Sequence, residues 1–205
     1  LPRTGQATGL VVSLHGKGAD AQDTLNLGFD RAIPATGLAI ASVDAGDGYY
    51  HPRADGSDPG ALVLDAVIPT ALTLATLPKD APVGFIGWSM GGYGSLLLAS
   101  ALPKDRVFGV ATISAALWTQ PGDSAPGAFD NAEDYHRHDV FDAKHELTGV
   151  PVWMACGTSD PFYPANVAYV KHRPATRHTF DAGGHTGEYW TAHAGPMLTW
   201  LASLA

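Results

Sequence analysis

Five short, near-continuous apolar runs punctuate the chain: 9–15 (GLVVSLH), 38–43 (LAIASV), 82–88 (PVGFIGW), 107–113 (VFGVATI) and 150–156 (VPVWMAC). Runs of this length, apolar on both faces and rich in β-branched residues, predict strands buried in a parallel sheet. A sixth run, 177–181 (RHTFD), alternates polar and apolar positions and predicts a strand nearer an edge. Between the runs lie longer segments with helical character. Residues 58–77 open on Asp58-Pro59, with Pro69 expected to kink the helix. The stretches 89–102, 162–172 and 187–204 follow later strands in the same way. Strand–helix alternation predicts an α/β fold: a mainly parallel sheet of about six strands with helices on both faces. In such a sheet the functional loops leave the carboxyl ends of the strands.

Two segments break the alternation. Residues 44–58 (DAGDGYYHPRADGSD) are polar and glycine-rich with paired tyrosines. Residues 115–149 form the longest gap between strands and carry Trp118, Phe129, Tyr135 and three histidines. Both follow strands, so both belong at the functional edge. A connection this long in a compact domain is usually functional. The expected organisation is a single domain over 1–205 with a lid-like insertion at about 115–149; the competing reading is a plain surface insertion.

Composition narrows the function classes. The 205 residues are 45% hydrophobic and 16% charged, which suits one globular domain with a sizeable core. The net charge of −8 repels phosphate backbones, so no nucleic-acid partner is expected. No run approaches the roughly 18 apolar residues of a membrane span. Cys156 is the single cysteine, which rules out an internal disulfide and a multi-thiolate metal site.

The chemistry centres on Gly87-Trp88-Ser89-Met90-Gly91, a Gly-x-Ser-x-Gly pentapeptide between an apolar strand and an Ala/Leu-rich helix. This is the nucleophile-elbow pattern, in which a sharp strand-to-helix turn presents the serine. The simpler alternative is a serine that only caps the helix. A serine nucleophile needs a base, and the base needs an orienting acid. On this fold they follow in the order Ser, acid, His, each after a later strand. Asp160, in the loop G-T-S-D-P after the fifth strand, is the acid candidate, and His185, in D-A-G-G-H-T after the sixth, is the base candidate. None of the other eight histidines combines a post-strand position with a place after Asp160. An oxyanion hole would use the Met90 N–H and a second N–H from the loop His15-Gly16-Lys17-Gly18 after the first strand. His136 and His138 with Asp134 or Asp139 match no strong ligand signature, so no metal is expected, and nothing calls for a cofactor.

Four stretches, His15-Gly16, Gly87–Gly94 (GWSMGGYG), Cys156–Tyr163 (CGTSDPFY) and Gly184-His185, resemble the α/β-hydrolase esterases of the esterase D and antigen 85 type. That group includes S-formylglutathione hydrolases, feruloyl esterases and mycolyltransferases. The likeness spans nearly the whole chain and is nearest to actinobacterial α/β-hydrolases with H-G-x-G-A-D and G-T-x-D-P-F-Y. It implies the α/β-hydrolase fold, with Ser89 as nucleophile, His185 as base, Asp160 as acid and Lys17 as the second oxyanion N–H. Two departures stand out. The family usually carries a pair of strands before the first one here, and the antigen 85 type has leucine where Lys17 stands, which sets mycolyl transfer aside. The implied activity is a serine carboxylester hydrolase acting through an acyl-enzyme. An acyltransferase or thioesterase on the same residues is the alternative, and a catalytically silent binding protein a more distant one. The expected partner is a small-molecule ester, with a sugar or lipid part in view. Candidate substrate contacts are His15, Tyr49, Tyr50, Trp88, Trp118 and Phe162, with Asp44, Asp47 and His51 as contacts to a polar alcohol. The chain begins at Leu1 rather than methionine, and similar actinobacterial proteins carry export signals, so a secreted or cell-envelope location is favoured over the cytoplasm.

Overall fold

The computed structural model describes residues 1–2 and 6–205. In chain order it contains β1 (Leu10–Leu14), α1 (Ala21–Asn26), α2 (Ile33–Thr36), β2 (Ala39–Val43), α3 (Pro59–Ala61), α4 (Ile68–Leu74), β3 (Val83–Trp88), α5 (Met90–Ala101), β4 (Val107–Ile113), α6 (Ala132–Arg137), β5 (Val152–Gly157), α7 (Tyr163–His172), β6 (Arg177–Asp181) and α8 (Gly187–Ala202). The six strands form one sheet in the order β2-β1-β3-β4-β5-β6, every neighbouring pair parallel. This is the α/β-hydrolase arrangement. The order reverses direction between β1 and β3. The loops leaving those two strands therefore diverge and open a crevice, the usual ligand position in open parallel sheets.

Alternation along the strands splits the core in two. Leu10, Val12, Leu14, Phe85, Val110 and Met154 face α4, α5 and α7. Val11, Ile86, Ala111, Ile113 and Ala155 face Phe29, α2 and α8. The edge strand β6 is largely exposed, as its alternating pattern predicts. Its Arg177 guanidinium lies 3.7 Å over the Trp153 ring and covers that indole from solvent.

Pro69 does not kink the helix in the expected way. Residues Leu62–Val67 widen into a π-helical stretch between α3 and α4, with the Ile68 N–H bonded to the Val63 carbonyl. The proline follows directly, where the widened turn accommodates its missing N–H and its ring. Helices α1 and α6 carry no apolar periodicity and are set by their caps instead. Asp20 and Asp23 form a reciprocal capping box at α1, and Asn131 caps α6 through the Asp134 N–H. Among the described residues no helix is long and apolar enough to cross a membrane.

Candidate active site

Strand β3 ends at Trp88 and α5 begins at Met90, so the whole turn falls on Ser89. Its backbone sits at φ 54° and ψ −119°, a strained conformation for a residue with a side chain. The flanking glycines make the turn possible, for two different steric reasons. A Cβ at position 87 would drive into the Gly91 carbonyl across the turn. A Cβ at position 91 would drive into the Leu14 carbonyl of the neighbouring strand β1. The Ser89 hydroxyl makes no capping bond to α5, so helix capping does not explain it.

The hydroxyl turns instead to His185. Ser89 Oγ lies 2.9 Å from His185 Nε2, and His185 Nδ1 lies 2.9 Å from Asp160 Oδ2. A carboxylate only accepts, so Nδ1 carries the hydrogen and Nε2 turns its lone pair to the serine O–H. Asp160 follows β5, and its Oδ1 also accepts the Phe162 N–H at 2.8 Å. Burial pushes the Asp160 carboxyl up. Hydrogen bonds from His185 and the Phe162 N–H outweigh burial and hold it below its ordinary value of 3.8. His185 follows β6, and the two loops brace one another. Thr158 N–H bonds the Asp181 carbonyl at 2.8 Å and Ser159 N–H bonds the Gly183 carbonyl at 2.9 Å. The imidazole is packed between Phe162, 5.2 Å away, and Trp190, 5.1 Å away, centroid to centroid. Trp190 lies inside α8, where a sequence reading has no reason to separate it from core aromatics.

The loop after β1 runs beside Ser89. A Cβ on Gly16 would lie 2.8 Å from Trp88 Nε1 and 3.3 Å from Ser89 Cβ. The Met90 N–H opens α5, and neither it nor the Lys17 N–H has a partner among the described residues. The loop is tied down on both sides. Asp47 Oδ1 accepts the Gly18 N–H at 2.6 Å, and Lys17 Nζ donates to the Pro126 carbonyl at 2.8 Å.

The expected substrate contacts differ in burial: Trp118 and Phe162 are half-buried, whereas Tyr49 is buried. Phe162, Trp118 and Tyr49 form an aromatic row leading away from His185, with Phe162–Trp118 at 5.6 Å and Trp118–Tyr49 at 5.7 Å. Burial, with Asp47 nearby, pushes the Tyr49 phenol up to about 12, so it is a neutral donor. His15, Tyr50 and Trp88 lie in the interior. His15 is buried, its Nδ1 bonded to the Gly16 carbonyl and its Nε2 accepting from the Ala45 N–H. Tyr50 is buried against α5 with its hydroxyl on the His15 carbonyl, and Trp88 is buried against Phe29 and Trp190. All three pack beneath the loops around Ser89. Asp44 is exposed, and among the described residues its side chain reaches the Gly46 N–H alone. Asp47 holds the loop at Gly18, and His51 is fully buried under the 115–149 segment. Cys156 is buried as well; burial raises its thiol, which removes it as a competing nucleophile.

The family model described as "Putative esterase" matches residues 70–201, well over half of the chain and inclusive of Ser89, Asp160 and His185. The chain belongs to this esterase family. The protein is an enzyme, a hydrolase of carboxylic esters. Three solved structures agree in fold with the esterase. The fluorophosphonate-binding serine hydrolase F of Staphylococcus aureus has a TM-score of 0.79 at 20% identity, over 97% of this chain and 85% of that one. A ferulic acid esterase has a TM-score of 0.81 at 18% identity, over 98% and 87%. An S-formylglutathione hydrolase from Agrobacterium tumefaciens has a TM-score of 0.80 at 15% identity, over 97% and 85%. No curated protein matches the chain of the esterase.

Proposed function

We propose that the esterase works through an acyl-enzyme on Ser89. The observation that carries the reading is the unbroken row Asp160–His185–Ser89, both contacts 2.9 Å, around a serine that caps nothing. His185 Nε2 takes the hydroxyl proton as Ser89 Oγ attacks the ester carbonyl carbon. Asp160 keeps the imidazole in the required tautomer and balances the imidazolium that forms. The carbonyl oxygen becomes negative between the Lys17 and Met90 N–H groups, which have no competing partner among the described residues. Collapse of the tetrahedral intermediate expels the alcohol, which takes the proton back from His185. Water then attacks the acyl-enzyme by the same route and frees the acid. The His185 side chain is 25% exposed, which leaves water an approach.

Trp118 and Phe162, backed by the buried Tyr49, suit an apolar part of the substrate, such as a lipid chain or the flat face of a sugar. Residues 115–149 act as the lid-like insertion of a single domain, with Lys17–Pro126 joining the insertion to the oxyanion loop.

The test is turnover of p-nitrophenyl esters from acetate to palmitate, with fluorophosphonate labelling, in the parent and in Ser89→Ala. Labelling and turnover both vanish in the variant, turnover by at least about 10³-fold. A folded parent that takes no label overturns the assignment of the nucleophile. Labelling without turnover across the whole series moves the reading to acyl transfer.

A further inference from the structure

Away from Ser89, the two long loops meet in a buried group of donor atoms. His51 comes from the 44–58 loop, Asp134 from α6 and His138 from the end of that helix. The side chains are 0%, 7% and 12% exposed. One donor atom from each lies within 4.8 Å of the others.

The hydrogen-bond inventory leaves the centre of this group short of positive charge. His51 Nε2 is 3.0 Å from the Ala128 carbonyl and so carries the ring hydrogen. His51 Nδ1 then presents a lone pair, yet it faces the Pro52 carbonyl at 3.1 Å and Asp134 Oδ2 at 3.8 Å, both acceptors. His138 Nδ1 sits 3.0 Å from Asp134 Oδ1 and 3.0 Å from the Asp134 backbone carbonyl, again both acceptors; the two imidazoles stack with centroids 4.4 Å apart, so the rings turn for both lone pairs to meet one ion. Asp134 accepts the Asp130 N–H through Oδ2 and retains further lone pairs. The nearby Arg53 guanidinium is already held by Asp130 at 2.7 Å and by the Ala128 carbonyl at 2.8 Å.

We propose that His51, Asp134 and His138 bind a divalent transition-metal ion that clips the 44–58 loop to the 115–149 segment. Bonds near 2.0–2.1 Å set donor–donor edges of about 3.3 Å in a tetrahedron, and three donor atoms already within 4.8 Å of one another close on one ion by small side-chain rotations. Two imidazoles and one carboxylate suit zinc over calcium or magnesium, which prefer all-oxygen shells. The His51 Nε2–H to Ala128 bond is the outer contact that holds a ligating imidazole in the right tautomer. A cavity of about 260 Å³ lined by His51, His138, His145 and Asp58 gives access and room for a water as fourth ligand. The spacing within 134–139 matches no ligand signature because the third donor comes from His51, far away in the chain. The metal would stabilise the two segments that carry Tyr49, Trp118 and Phe129.

The experiment loads the full chain with Zn²⁺, dialyses it and measures zinc per chain. It also follows the melting temperature and records the visible spectrum with Co²⁺. The expected result is about one zinc retained per chain and four-coordinate cobalt bands. At about a hundredfold excess over Kd, the melting temperature rises by roughly 5–10 °C and returns on chelation. Asp134→Asn and His138→Gln lower zinc affinity at least about tenfold, while His185→Ala retains the zinc. Parent protein that holds no more zinc than Asp134→Asn overturns the proposal; its acceptors are then satisfied by a proton on His51. Zinc lost only in His185→Ala also overturns it, by locating the ion at the triad. If either ligand variant does not fold, the cobalt spectrum of the parent decides, and its absence rejects the site.

Discussion

Position 91 shows how much one atom decides here. The Gly91 Cα lies where α5 passes β1, and any side chain would enter the Leu14 carbonyl, which cannot move without breaking the sheet. Gly91→Ala is therefore expected to destabilise the protein by about 3 kcal/mol, measured by denaturant unfolding. A loss under about 0.5 kcal/mol would mean that the turn relaxes, contrary to the tight packing described. Gly94 has a different task, since a Cβ there would meet the Tyr50 ring. The glycines of the elbow thus serve separate contacts: one across the turn, one against β1 and one under an aromatic floor.

At the level of elements, the proposed active site is made by loops that hold one another. Asp47 stands outside the proposed catalytic row, yet its carboxylate takes the Gly18 N–H at 2.6 Å and so fixes the backbone that carries the Lys17 N–H. Asp47→Ala should lower kcat roughly tenfold, short of the 10²–10³ for an oxyanion donor lost outright. KM should stay near its parent value. Asp47 is exposed, so unfolding free energy should shift by no more than about 0.5 kcal/mol. A rise in KM at constant kcat would instead make Asp47 a contact to the alcohol.

For the whole molecule, the buried Asp160 couples the site to stability. Its folded-state value lies below the unfolded 3.8. The contribution is therefore complete above that value and is lost as pH falls through the folded one. The parent should lose more unfolding free energy than Asp160→Asn between about pH 5 and pH 2. Parallel curves for the two proteins would show that the carboxylate is not held by His185 in solution. The acidic surface, with net charge −8, sets the colloidal behaviour but has no part in this difference.

The sequence by itself determined the strands, their parallel direction and the loops that carry Ser89, Asp160 and His185. Periodicity is local, and the chemistry demands polar residues at strand ends, so both are written along the chain. It did not separate Trp118 and Phe162, which flank the row, from Trp88 and Tyr50, which pack beneath the loops around Ser89. All four are bulky aromatics in or next to apolar stretches, and only packing decides which way each faces. Asp47 gripping Gly18, Lys17 reaching Pro126 and His51 meeting Asp134 and His138 were decided by the tertiary structure alone. Those contacts join segments 29, 109 and about 80 residues apart, and no local pattern carries information over such distances.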